Sequence, residues 1–218
     1  MPHIVTLSFD DGFMRSSYRT AEVFEAHGLR ACINVVASWC GDGFGCWDDW
    51  NALRARGHEI GVHTWDHTNL AEIPLDDAKR HVDRCRDDFA KSLEGFNPAE
   101  AVYNFAYNAS TPEVEEYVLS QFHALRTAGV SAVNPVRARR ITCWSHGPEN
   151  CDAFFDQVVS EFLMSSGGWL VFNGHGLDDE GWGPMSTSYL DNLLARLVRL
   201  DHVAVLPARD VLFPPPSA

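Results

Sequence analysis

Short apolar runs alternate with stretches of helical spacing along this chain, and that alternation leaves few folds open to it. The runs at 4–9, 31–37, 59–62, 101–105, 124–126, 141–143, 169–172 and 203–206 are rich in β-branched, aromatic or other apolar residues and are short enough to be strands. Between them, the stretch 75–93 places Ala78, Val82, Cys85, Phe89 and Leu93 three or four residues apart, the stripe of an amphipathic helix. Further helices are expected over 17–27, 47–56, 110–121, 152–164 and 188–200, the first two closed by Gly28 and Gly57. The hydroxyls of Ser110 and Thr111 ahead of Pro112 mark a helix start. Strands separated by helices pair in parallel, so the expected fold class is α/β, a distorted (β/α) barrel of roughly seven or eight strands. An open doubly wound sheet shares the pattern and is the second arrangement. One domain is expected over 1–213, with 214–218 a frayed proline-rich tail.

With 45% hydrophobic residues among 218, the chain can bury a sizeable core. A net charge of −13 leaves nothing to neutralise a phosphate backbone, which argues against nucleic acid and against anionic membranes. No apolar run is long enough to span a bilayer. The first strand begins by Ile4 with no basic or apolar leader ahead of it, which is read as a cytoplasmic protein unless a leader is missing from this sequence. Cysteines at 32, 40, 46, 85, 143 and 151 include no Cys-x-x-Cys pair, so a cysteine zinc site is not expected. They are expected as free thiols; in an exported protein Cys40 with Cys46, or Cys143 with Cys151, are the pairs that could bridge.

Chemistry-bearing residues recur where strands end. The run 4–9 ends in Asp10, Asp11 and Gly12, the strand at 59–62 delivers His63 and His67, and the late strand ends in Asn173, Gly174 and His175. In a barrel these ends share one rim. Consecutive side chains at a strand end point opposite ways, so Asp10 and Asp11 can take different jobs, although a plain Asp-Gly turn or helix cap accounts for them equally well. His63 and His67 lie one helical turn apart, a spacing that lets both face one metal ion. Asp11 would complete a His-His-Asp set with positions left open, the form of a catalytic rather than a structural site. Asp66 reads as a local cap.

Ser8 to Gly12, His63-Thr-x-x-His67 and the late strand ending in His175 resemble, in order and spacing, the motifs of the polysaccharide deacetylases, the NodB-homology carbohydrate esterases. The resemblance spans 4–206. It implies that Asp11, His63 and His67 bind a divalent metal, usually zinc, with cobalt, nickel or manganese as other candidates. It further implies Asp10 as general base, His175 as general acid, and removal of an N-acetyl group from a carbohydrate or small N-acylated substrate by an activated water. Leu170, Leu177, Trp182 and Met185 are near enough to His175 in sequence to line an acyl pocket, as core packing would also explain.

The third motif departs from the family pattern. It reads Phe105-Ala106-Tyr107-Asn108, with Tyr107 the expected substrate-side group, Ala106 where an arginine usually orients the catalytic aspartate, and Asn108 where proline stands. Another alignment sets Asn104 at the arginine. Either Arg137 or Arg140 supplies the missing charge from another strand or no residue does, and Trp144 and Asp152 are candidates for a fourth motif. The altered motif motivates a second reading, a catalytically impaired carbohydrate-binding relative; a hydrolase of small non-sugar amides is the third.

Overall fold

The computed structural model describes residues 2–41 and 43–214. The chain runs through β1 (His3–Phe9), α1 (Met14–Ala26), β2 (Cys32–Val35), α2 (Trp47–Ala55), β3 (Glu59–Val62), α3 (Leu75–Ser92) and β4 (Val102–Asn104). It continues through α4 (Pro112–Gln121), β5 (Ala124–Ala128), β6 (Val133–Asn134), β7 (Arg140–Cys143), α5 (Asp152–Leu163), β8 (Gly168–Gly174), α6 (Thr187–Leu197), β9 (Val203–Val205) and α7 (Ala208–Leu212).

The strands form one sheet in the order β6-β8-β1-β2-β3-β4-β5-β7, with β9 also beside β1. Just past β7, Trp144 bridges Phe172 of β8, and Asn173 N donates to Trp144 O at 3.0 Å, so the sheet curls into a nearly closed barrel. Strand β1 holds it together. Along one edge it pairs with β8 from His3 to Phe9; along the other, β9 takes His3 to Val5 and β2 takes Ser8 and Phe9. All seven β1 residues are buried, which is why this strand reads as a nearly continuous apolar run.

Alternation along β1 sorts its side chains. Val5, Leu7 and Phe9 join the core shared with the surrounding helices, whereas Ile4 joins a second cluster with Val102, Ile141, Trp169 and Val211, plugged by α7. Thr6, Ser8 and then Asp10 share the inward side with Ile4, so the barrel interior grows polar toward the strand ends. That gradient places a carboxylate at the top of the barrel.

The parallel barrel expected from the alternation is present, with nine strands rather than seven or eight. The extra strand, β6, is two residues long and antiparallel to β8, too short for any periodicity to betray. The turn-length helix α7 was not expected either. Cys40 and Cys46 are not bridged, nor are Cys143 and Cys151; all six cysteines are free. Apart from Pro214, the expected frayed tail lies outside the described residues.

Candidate active site at the strand ends

The turn leaving β1 is built on left-handed backbone, with φ of 76° at Asp11 and 77° at Gly12. At Gly12 a Cβ would meet Trp50 and Val35 at 3.1 Å, so glycine is needed there for both space and conformation. This turn sends Asp10 and Asp11 into different surroundings.

Asp10 is 2% exposed and hydrogen-bonded on both oxygens. Arg126, from β5, donates to Oδ1 through Nη1 at 2.9 Å and to Oδ2 through Nη2, and Nη1 also reaches Ser8 Oγ at 3.0 Å. Asn34 Nδ2 donates to Oδ1 at 2.8 Å and Asn173 Nδ2 to Oδ2 at 3.1 Å. Behind them, Asn104 Nδ2 donates to Asn34 Oδ1 at 3.1 Å and fixes that amide. Burial alone would raise the Asp10 pKa, but the Arg126 guanidinium and His63 hold the carboxyl far below the usual carboxylate range. Asp10 is therefore ionised at any working pH.

Asp11 is treated in the opposite way. Its Oδ1 is buried without a hydrogen bond, 3.4 Å from His63 Nε2 and 3.4 Å from His67 Nε2. One ligand atom from each of the three residues lies within 4.8 Å of the others. His63 Nδ1 donates to the carbonyl of Asn104 at 3.1 Å, which turns Nε2 toward Asp11; against the effect of burial, the Asp10 and Asp11 carboxylates raise the His63 pKa, and a bound cation would take the place of the Nε2 proton. Burial and the neighbouring His63 push the His67 pKa down, so that ring is neutral and able to ligate. An unpartnered carboxylate oxygen between two imidazole nitrogens is the donor set of a divalent ion with nitrogen and oxygen ligands, and the residues fit that group.

The pair His63 and His67 does not sit on a helix. Residues 63–67 form a loop in which Thr64 and His67 both take φ of 62°, and Thr64 Oγ1 accepts from His67 N at 3.0 Å. Two left-handed residues turn the second imidazole back toward the first, doing what one helical turn was expected to do. Asp66 Oδ1 accepts from Thr68 N at 3.1 Å and lies 3.2 Å from His81, which is local capping.

His175, after β8, lines the same pocket as Asp10, Asp11, His63 and His67. Burial pushes its pKa down, and its Nδ1 is buried without a partner. The cavity is about 570 Å³, and its walls include Trp39, Tyr107 and Trp182. Tyr107 stands edge-on to His67 (4.7 Å between centroids), Trp39 lies 5.1 Å from the same ring, and Trp182 is edge-on to His175 at 5.3 Å. Tyr107 and Asn108 hold φ of 56° and 50°. Left-handed residues cost roughly 1–3 kcal/mol each and gather where surrounding structure enforces them, here on the rim of this pocket.

Other expected residues lie elsewhere. Leu177 and Met185 are 3% and 0% exposed, bridge each other and belong to the helix-side core; they fasten the loop that carries Trp182 and do not line the pocket. Leu170 is core as well. Arg140 pairs with Glu115, away from Asp10, so the charge assigned to Arg137 or Arg140 comes from Arg126. Asp152 caps Ser186 N at 2.9 Å, and Trp144 seals the barrel; neither lines the pocket. Sequence reasoning missed Arg126, Asn34 and Asn173. The available signal was a charged or amide residue inside an otherwise apolar strand.

A family model described as polysaccharide deacetylase matches residues 2–124. A probable peptidoglycan-N-acetylglucosamine deacetylase of Arthroderma benhamiae is 28% identical over 109 residues, which cover 48% of this chain and 24% of that protein. A chitin deacetylase of Pestalotiopsis sp is 27% identical over 73 residues, 34% of this chain and 24% of its own length. The chain matches about a quarter of the length of these curated relatives. Among solved structures, a family 4 acetyl xylan esterase from Clostridium thermocellum in complex with a cobalt ion aligns at a TM-score of 0.68 and 16% identity, over 95% of this chain and 89% of that one.

Proposed function

Because the chain belongs to the polysaccharide deacetylase family, we propose that it hydrolyses the N-acyl, most simply N-acetyl, group of an amino sugar with the help of a divalent metal. The observation that carries this reading is the buried, unpartnered Asp11 Oδ1 facing His63 Nε2 and His67 Nε2. These three residues would hold the ion, zinc first and cobalt, nickel or manganese as alternatives. Bound there, it would polarise the acyl carbonyl and acidify an attacking water.

The remaining roles fall to the chain's own groups. Asp10, locked by Arg126, Asn34 and Asn173, presents an ionised carboxylate in a fixed orientation and accepts the proton of the water. So strongly paired a carboxylate is a weak base, which suits a water that is already acidified. His175 collects a proton from solvent once substrate is bound and gives it to the departing amine, while the proton that Asp10 took from the water is released to solvent as the site resets. Trp39, Tyr107 and Trp182 exclude water and orient the sugar. The altered third motif motivates the impaired-relative reading; the Arg126 guanidinium, held on Asp10 from β5, favours the active one.

Acetate release from N-acetylated amino sugars by metal-loaded protein, abolished in Asp10→Asn, is the expected result. Calorimetric titration with zinc should show binding by wild type and none by a His63→Ala, His67→Ala variant. Equal binding by both would overturn the assignment of the metal.

A further inference from the structure

The pocket lining comes in turn from the ends of β8, β1, β2, β3, β4 and β7, through Trp182, Asp10, Trp39, His63, Tyr107 and Ser145. Those positions run most of the way round the barrel mouth, and its aromatics stand at the ends of β8, β2 and β4, two strands apart, so that an extended chain crossing the mouth would meet them. At about 570 Å³ it lies within the range that encloses a whole small molecule, about 300–1,000 Å³.

The walls are held in place. The loop that carries Trp182 is pinned at its base by Leu177 against Met185 and by Glu180 Oε2, which accepts from Ser16 N at 2.6 Å. The Trp182 ring rests against Gly147, where a Cβ would sit 2.6 Å from it. Trp39 is backed by Phe44, with 4.8 Å between ring centroids, and Phe44 in turn by Phe13 at 5.1 Å.

The chemistry of the lining is equally selective. It includes no lysine or arginine among the described residues, and the nearest guanidinium, Arg126, is 2% exposed with both terminal nitrogens occupied by Asp10 and Ser8. Apart from the ion proposed on Asp11, His63 and His67, a phosphate or carboxylate on the ligand would find no cationic side chain to bind it. Flat aromatic faces instead suit the apolar C–H face of a pyranose, which needs no charge.

Resting on the deacetylase reading, we propose that the substrate is a neutral N-acylated amino sugar taken as a free monosaccharide or as the last residue of a chain, and not an internal residue of a polymer. Trp39, Tyr107 and Trp182 would be the residues that set this limit.

Acetate release from N-acetylglucosamine, its tetramer and a soluble long-chain chitin tests it, with mass spectrometry locating the deacetylated position in the tetramer. The expected result is activity on the monosaccharide, loss of acetate from one end of the tetramer only, and about tenfold or greater discrimination against the long chain. Trp182→Ala should narrow that ratio. Internal deacetylation, or kcat/KM that rises with chain length, overturns the proposal. A second arm uses tryptophan fluorescence of the metal-free protein: N-acetylglucosamine should quench it and N-acetylglucosamine 6-phosphate should not. Equal response to both sugars, or to neither, sinks the proposal. Absence of acetate from every substrate would sink the deacetylase reading, while the fluorescence arm still decides the ligand class.

Discussion

Below the pocket, Asp10, Arg126, Asn34 and Asn173 are each at most 2% exposed and bonded to one another; above it, Tyr107 and Trp182 are 66% and 49% exposed and touch mainly imidazole rings or glycine backbone. The lower group is a closed polar network inside a barrel, where an unpaired member would be costly. The upper group sits on loops, and Tyr107, like Asn108 beside it, is in left-handed backbone. One region orients a charge and contributes to folding in doing so. The other shapes an opening and costs stability in doing so.

The sharpest way to break that contrast is Arg126→Met, which leaves Asp10 buried without its cation. We expect a loss of about 3–5 kcal/mol in urea unfolding, along with most of the activity. A loss under about 1 kcal/mol would mean that the network is not holding the fold. The metal set between the two regions should act on stability by mass action. At a hundredfold excess over Kd, zinc should add about 2.7 kcal/mol to the wild type, and EDTA should remove it, with no such difference in Asp11→Asn.

Asn173→Ala removes one bond to a charged oxygen and should cost about 1.5–3 kcal/mol while lowering kcat more than it raises KM. The pH response sharpens the same point. Because the folded-state pKa of Asp10 is depressed, its contribution is fully present above the ordinary aspartate value near 3.9 and drains away as pH falls toward the folded value. Stability of Asp10→Asn should therefore fall less steeply than that of the wild type between about pH 5 and 2. On the rim, Tyr107→Gly should leave stability within about 1 kcal/mol, since relief of a left-handed tyrosine offsets the lost ring contact and the freedom of glycine. KM for the sugar should rise even so. A large loss of stability there would erase the distinction between floor and rim.

Local signals carried much of this architecture. The apolar run before Asp10, the stripe through Ala78, Val82, Cys85 and Phe89, and the Thr111 cap, whose Oγ1 accepts from Val114 N at 3.4 Å, each depend on neighbours a few residues away. What was not legible depends on distance. Arg126 lies 116 residues from Asp10, and although a charge in a strand that reads Ala-Leu-Arg-Thr-Ala is a signal, nothing local names the partner it meets. The charge on Asp10 comes from β5, the strand paired with β4 just ahead of the altered third motif. The left-handed turns at Thr64 and His67 were also hidden, because neither residue type announces positive φ; spacing alone suggested a helix. Leu177 and Met185 lay close to His175 in sequence but face the core, a direction set by the loop's own β-bridge.

The shared edges of β1 also bear on how the chain comes together during synthesis. The strand that carries Asp10 toward the pocket is flanked by β8 and β9, whose residues follow it by about 165 to 200 positions. Arg126 and Asn173 arrive late as well. Contacts so remote in sequence form slowly, after much loop-closure entropy has been overcome. A growing chain of only the first 124 residues has Asp11, His63 and His67 but only part of the Asp10 network, no His175 and no barrel. The groups gathered round Asp10 thus come together only once the chain through β8 has been made, and the fragment that carries the family match is no folding unit by itself.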